Sequence, residues 1–290
     1  MKEFCSAVLL LGLLFPLAGH AQLSGNNTKD DFGLQSAGSN AQDIESDTAE
    51  SAVESAPVAL DPSLPPKVSE VLTSMANFLE RTLMFTGTAN FAGDVLRTDG
   101  HVQEGGGTVS LLIHAPLRAK ITIRDRTGSI SVTILDGETL TVGAEKDSQF
   151  YYDSIRQPGD ITESLDFLAE DLGVPRPWQG IMSGNVLAMF ADVSSGSFVG
   201  ETTIGGLLCD HLLLHTDTQD IQLWVTQGNQ PAPVRLLKIH RESQGQLREL
   251  VMFSSWNFSP DLPADSFALQ LPDNAERFHF FQDRPDNGTK

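Results

Sequence analysis

The sequence is poor in cysteine, in positive charge and in long apolar runs, and each shortage excludes something. Of its two cysteines, Cys5 lies in an N-terminal stretch that reads as an export signal, which leaves Cys209 alone in the mature chain. An internal disulfide is then excluded, and stability has to come from a buried core. Lysine and arginine number 19 against 38 aspartates and glutamates, for a net charge of −19. That imbalance excludes nucleic acid and anionic lipid headgroups as electrostatic partners. After the signal no stretch is apolar for the roughly 20 residues that a membrane helix needs. Motifs are missing too. There is no Gly-x-Ser-x-Gly elbow and no HExxH spacing among the histidines. Glu104-Gly105-Gly106-Gly107 lacks the Lys-Ser/Thr ending of a phosphate loop and precedes a strand, whereas a phosphate cradle opens a helix. It reads as a turn.

What is present begins with the signal itself. Lys2, an apolar run from Ala7 to Leu17 and the small residues Ala18-Gly19-His20-Ala21 are the parts of a cleavable secretion signal, so residues 1–21 are expected to be removed. Residues 22–66 follow as a polar, acidic stretch. Asp30, Asp31, Asp43, Glu45, Asp47, Glu50, Glu54 and Asp61 stand there against Lys29 alone. Too little apolar surface is available to offset ordering entropy, so this segment reads as a disordered spacer. A folded domain is expected over 67–281, with a disordered tail at 282–290.

Val68, Val71, Leu72, Met75, Phe78 and Leu79 recur at helical spacing and predict an amphipathic helix over 67–81. The period then drops to two. Leu83, Phe85, Gly87, Ala89 and Phe91 share one strand face, and alternating runs follow around Val109–Ile113, Ile121–Ile123, Ile130–Ile134 and Leu140–Val142. Asp136-Gly137, between two such runs, is a hairpin signal. After Gly159, Asp160-Ile161-Thr162-Glu163 opens a second helix with an acidic variant of the capping box. Its stripe is Ile161, Leu165, Leu168 and Leu172, stopped by Gly173, Pro175 and Pro177. A short helix is predicted at Gly184–Ala191. Strands resume at Ser197–Ile204, Leu207–His215, Ile221–Val225, Val234–His240, Leu247–Phe258 and Phe267–Leu271. About eleven strands in one antiparallel sheet have to curl to cover their apolar face. The fold class is therefore mainly β: a curved, incomplete antiparallel barrel with helices across its open side.

Several short motifs in fixed order carry a resemblance. Met75-Ala-Asn-Phe-Leu79, Leu165-Asp-Phe-Leu-Ala-Glu-Asp-Leu172 with Gly173-Val174-Pro175, Cys209-Asp210-His211, Gln222-Leu-Trp224, Pro231-Ala-Pro233 and Trp256-Asn257-Phe258 resemble a family of predicted periplasmic proteins of unknown function. That family is similar to the LolA/LolB lipoprotein carriers and to the sensor RseB. The resemblance implies a periplasmic location and a LolA/LolB-like half-barrel whose concavity holds acyl chains beneath a helical lid. It transfers no functional residue position by position.

Candidate sites are weighed on their chemistry. Cys209 and His211 share a strand face and would form a thiolate–imidazole pair or part of a metal site. A closed zinc site needs four ligands, and no oxyanion-binding group is nearby, so a buried structural cysteine is the stronger reading. Glu163, Asp166 and Glu170 line one helix face beside the apolar stripe, as a solvated face does. The expected ligand site is apolar: Phe85, Phe91, Leu111, Ile113 and Trp224 in the concavity, with Ile161, Leu165, Leu168 and Leu172 on the lid. Trp178, Trp256 and Phe253 are further aromatic candidates. The expected function is non-enzymatic binding of a lipid or acyl chain by a monomer without metal or cofactor. The alternatives are a protein-binding envelope scaffold with a filled core and an enzyme using Cys209 and His211.

Overall fold

The switch from helical to alternating spacing near Leu83 marks the chain's entry into its sheet. The computed structural model describes residues 60–281 apart from 98, 173, 175–177 and 242–245. The predicted signal, the spacer as far as residue 59 and the tail from 282 lie outside the described residues. Helix α1, Pro66–Arg81, starts with proline in its first turn, where a missing N–H costs nothing. It buries Val68, Val71, Leu72, Met75, Ala76 and Leu79 along one face. Thr82 ends it, with its N–H on the Leu79 carbonyl at 3.0 Å and its hydroxyl on the Phe78 carbonyl at 2.7 Å. Packing extends a little ahead of this helix. Leu64, assigned to the spacer by composition, is 5% exposed in the core, and Leu60 packs against it.

Six strands form the first meander: β1 Met84–Leu96, β2 Val102–His114, β3 Arg118–Asp125, β4 Ile130–Asp136, β5 Thr139–Lys146 and β6 Gln149–Arg156. A helical insert follows, made of α2 Ile161–Leu172, α3 Gln179–Ser183 and a 3-10 turn at Val186–Phe190. The second meander comprises β7 Ser195–Ile204, β8 Leu207–His215, β9 Gln219–Thr226, β10 Pro233–His240 and β11 Arg248–Asn257. A last short strand, β12 Ala275–Arg277, completes a sheet of order β12-β6-β5-β4-β3-β2-β1-β11-β10-β9-β8-β7. Antiparallel pairing of β1 with β11 fuses the two meanders, and β12 lies parallel to β6. The two edge strands do not pair with each other, so the sheet is open and curved, as expected from the number of strands.

Four sequence expectations change. Phe267–Leu271 is not a strand; Phe267 instead packs on Val132 and Ile134 on the outer face of β4, beside Leu262 and Leu269. A continuous helix at Gly184–Ala191 is replaced by α3 and the 3-10 turn, because Gly184 is the left-handed cap of α3, with φ +72°. The glycine run is no turn. Gly105, Gly106 and Gly107 lie inside β2 opposite Gly93, Ala92 and Phe91. A Cβ on Gly106 would stand 2.4 Å from the Phe91 carbonyl oxygen, and one on Gly107 2.2 Å from that of Arg124, so close backbone approach explains both. Finally, β6 and β12 are strands that the periodicity did not reveal.

Strand parity divides the sheet into two faces. Phe85, Ala89 and Phe91 of β1 point inward with Val109, Leu111 and Ile113 of β2, and all belong to the principal core with α1 and α2. A bulge opposite Thr88 and Ala89 shifts the register of β11, so that Trp256 meets Gly87 and Phe253 meets Ala89. Trp256 lies over the bare α-carbon of Gly87: a Cβ there would sit 2.9 Å from its ring. Gly87→Ala should therefore force the indole off its seat and destabilise the fold by about 1–3 kcal/mol. Urea unfolding followed by tryptophan fluorescence measures this, and an unchanged midpoint would contradict the packing.

Candidate functional site

The inner face and its helical cover are built from complementary apolar stripes. Asp160 and Glu163 cap α2 reciprocally. The Glu163 N–H donates to Asp160 Oδ1 and the Asp160 N–H donates to Glu163 Oε2, both at 3.0 Å. The capping box works with aspartate as the first residue. The Ile161 N–H donates to the Pro116 carbonyl at 2.8 Å, which ties the start of α2 to the end of the β2–β3 hairpin. From there α2 directs Ile161, Leu165 and Leu168 into the principal core, with Leu172 partly buried against it. Gln179 of α3 donates to Asp166 Oδ1 at 3.1 Å and joins the two helices of the insert. Among the expected lining residues, Phe85, Phe91, Leu111, Ile113, Ile161, Leu165 and Leu168 come together in this one cluster.

Trp224 does not join them. Ile221, Leu223 and Val225 take the inward positions of β9, so parity turns Trp224 to the outer face, beside Cys209 and Val234. Its selection as a lining residue rested on aromatic size rather than strand position. Trp178, Phe253, Trp256, Phe258, Phe85 and Phe78 instead form a chain of ring contacts from the insert through β11 and β1 to α1, with centroids 4.8–6.4 Å apart. The cover sits close on the sheet. A void lined by Met75, Ile181, Met189, Leu223, Leu236 and Phe253 measures about 10 Å³, room for one water at most.

The side chains of Cys209, Asp210 and His211 are engaged elsewhere. Cys209 is fully buried, and its thiol points to the Leu207 carbonyl at 3.4 Å. Burial pushes that thiol up from its ordinary value. His211 lies flat on Trp224, with centroids 4.1 Å apart and planes at 11°, and its Nε2 meets Gln222 Oε1 at 3.2 Å. Arg235 covers Trp224 at 4.8 Å. Asp210 faces the other way, receiving a hydrogen bond from Gln227 at 2.7 Å, with Lys67 of α1 4.0 Å away. No group of three or more His, Cys, Asp or Glu residues that could hold a metal is found among the described residues. Of the helix carboxylates, Glu163 and Asp166 serve the cap and Gln179, while Glu170 is exposed.

One polar group on the inner face escaped sequence reasoning. Asp153 of β6 is 2% exposed, opposite Val142 in the sheet. Its Oδ1 accepts from the Ser154 N–H at 2.9 Å and from Arg277 Nε at 3.2 Å, and its Oδ2 accepts from the Phe281 N–H at 3.3 Å. Only the parity of β6 could have exposed it, and β6 itself was not legible.

Two outcomes follow from these environments. Cys209 should react with a maleimide only after denaturation; rapid labelling of the native chain would contradict its burial and raised thiol. Burial chiefly lowers the His211 pKa below 6.5, with the Gln222 hydrogen bond opposing and nearby Arg235 assisting. The unfolded chain then binds the extra proton between the lowered value and 6.5, so stability rises with pH across that window. Denaturant melts of His211→Gln should lose that component of the slope, and an unchanged pH profile would contradict it.

No curated protein matches the sequence. Among solved structures the chain is similar to MucB, at 16% identity over 72% of this chain and 64% of that one, with a TM-score of 0.42. The match thus spans less than two thirds of MucB. It is also similar to LprF from Mycobacterium bovis, at 12% identity over 69% of this chain and 97% of that one, with a TM-score of 0.43. A LolA superfamily protein from Nitrosomonas europaea matches at 13% identity over 69% and 96%, with a TM-score of 0.34. No helix among the described residues is long and apolar enough to cross a membrane. The family model for predicted periplasmic proteins designated DUF2092 matches residues 69–281, and the chain belongs to that family.

Proposed function

We propose that this protein is a non-enzymatic envelope binding protein that takes an apolar group, such as a lipid or lipoprotein acyl chain, between its sheet and its helical cover. The observation that carries this reading is the apolar seam between the inner face and the insert. It is held by side chains of Ile161, Leu165 and Leu168 rather than by a strand ladder. Ligand pockets typically span about 300–1,000 Å³, far above the 10 Å³ void, so entry requires the insert to lift. Withdrawing three such side chains costs about 5–9 kcal/mol at 1.5–3 kcal/mol each. An incoming chain returns about 0.8 kcal/mol per methylene, so about six to eleven methylenes balance the exchange. A common acyl chain meets that requirement. Met75, Met182 and Met189 at the seam suit a surface that repacks around different occupants.

The tightness of the same seam favours a second reading, in which the core stays filled and the sheet is a platform for a protein partner. Native mass spectrometry of protein purified from its own envelope, with lipid extraction and titration by dodecanoate, separates them. The first reading expects a co-purified lipid or saturable uptake of dodecanoate. A clean apo mass with no uptake overturns it and leaves the platform, whose partner crosslinking in the envelope would then recover.

A further inference from the structure

The chain closes its own sheet edge with a segment that is lightly held. After β11 it crosses the outer face, where Phe267 packs, and then lays β12 parallel to β6. Three residue pairs form, Ala275 with Phe150, Glu276 with Tyr151 and Arg277 with Tyr152, flanked by hydrogen bonds from Gln149 to the Asn274 carbonyl, from Asn274 to the Ser148 carbonyl at 2.6 Å and from Arg277 to the Ser154 carbonyl at 3.3 Å. Parallel pairing is the weaker kind per residue. Beyond it, the Phe278 N–H donates to the Tyr152 carbonyl at 2.8 Å and Phe278 meets the ring of Tyr151 at 6.1 Å. Phe281 then reaches Phe167 of α2 at 5.8 Å. No residue of 275–281 is fully buried, and the Arg277 side chain is 57% exposed.

The seat beneath is different. Asp153 is buried, and besides its neighbour's N–H at Ser154 its carboxylate accepts from Arg277 and Phe281 of this segment. A buried carboxylate needs a cation and hydrogen-bond donors wherever it sits. The specificity therefore lies in the seat, and the weak hold lies in the occupant. We infer that the edge of β6, with Asp153 and the rings of Tyr151 and Phe167, is a docking site for an extended peptide in which a basic residue is followed by aromatic residues. Residues 275–281 fill this site in cis as a stand-in for that partner. The incoming strand would add to the sheet edge through its backbone, while the carboxylate and rings read its side chains. This goes beyond the apolar-group reading, since the site lies at the sheet edge rather than in the seam.

The test uses the whole mature chain with His279→Cys carrying an environment-sensitive dye, Cys209 being too buried to compete for the label. It is titrated with a synthetic peptide of residues 274–281, with the same peptide carrying Arg277→Ala, and with dodecanoate. The peptide should displace the labelled segment, and its Arg277→Ala form should need about tenfold more or beyond, as expected for losing a hydrogen bond to a charged group. Asp153→Asn in the chain should abolish that discrimination. As a second variant that leaves the seat intact, Arg277→Ala in the chain should lower the peptide midpoint by weakening the cis competitor. No displacement at millimolar peptide, equal midpoints for the two peptides, or an unmoved midpoint in the Arg277→Ala chain would overturn the proposal. Displacement by dodecanoate alone would also overturn it and assign the segment to the apolar site. A chain that binds the peptide but ignores dodecanoate would leave this proposal standing while the carrier reading fails.

Discussion

The fold depends on β1 finding β11. Each meander alone is a run of hairpins with an exposed apolar face; joined, they make one sheet wide enough to wrap a helical cover. The join pairs Thr86–Gly93 with Asn257–Glu249 across more than half of the described chain. Closing so long a loop costs only about 0.6 kcal/mol for each doubling of its length, so distance is a modest thermodynamic obstacle. What fixes the register is the bulge that aims Trp256 at Gly87, while the indole N–H donates to the Pro233 carbonyl at 2.9 Å. That single ring touches β1, β10 and β11 and stacks between Phe253 and Phe258. It ties the join to the insert and to α1 through its aromatic neighbours.

Because parity governs a sheet, the join also decides which residues can share a site. Phe85, Leu111, Ile113 and the α2 stripe converge on one side. Cys209, His211 and Trp224 are sent to the other. A thiol–imidazole pair would need Cys209 to be accessible and His211 free to serve it. Instead the thiol is buried with its pKa raised, and the imidazole is sandwiched against Trp224 and bonded to Gln222. These positions stabilise the outer face through stacking and burial, which accounts for the cysteine without any redox partner.

Much of this was legible in the sequence, for physical reasons that differ from element to element. Helices α1 and α2 declared themselves because their apolar residues repeat at 3.6 and α2 opens on a capping pair. Asp136-Gly137 announced its hairpin because Asp136 can bond the next N–H groups, as it does with Glu138 and Thr139. Two of the misses share one cause: both faces of the sheet are covered somewhere. Strand β6 places Tyr151 and Asp153 inward but Phe150 against an outer cluster, so alternation of apolar and polar is lost. Trp224 is apolar yet outward for the same reason. Within β2 the glycines answer to backbone spacing rather than to turn chemistry. The seven residues that close β6 depend on a partner more than a hundred positions away, which no local pattern can encode.

The structure thus has two grades of attachment. Strands β1–β11 are tied by continuous backbone ladders on at least one side, and opening any of them breaks hydrogen bonds in a row. The insert and the segment after β11 are attached differently. The insert rests on apolar side chains, a cap and a few polar contacts, and the closing segment on a short parallel ladder, an ion pair, a few further hydrogen bonds and ring contacts. Local opening follows the weakest connections, so the least secured parts of the fold are those that cover its apolar face and its β6 edge. That distribution suits the proposed binding role, with a rigid sheet to define the site and lightly held elements to admit the occupant. The buried carboxylate at their meeting point, Asp153, is the group whose needs cannot be met by apolar contact alone, which is why the proposed edge site is read through it.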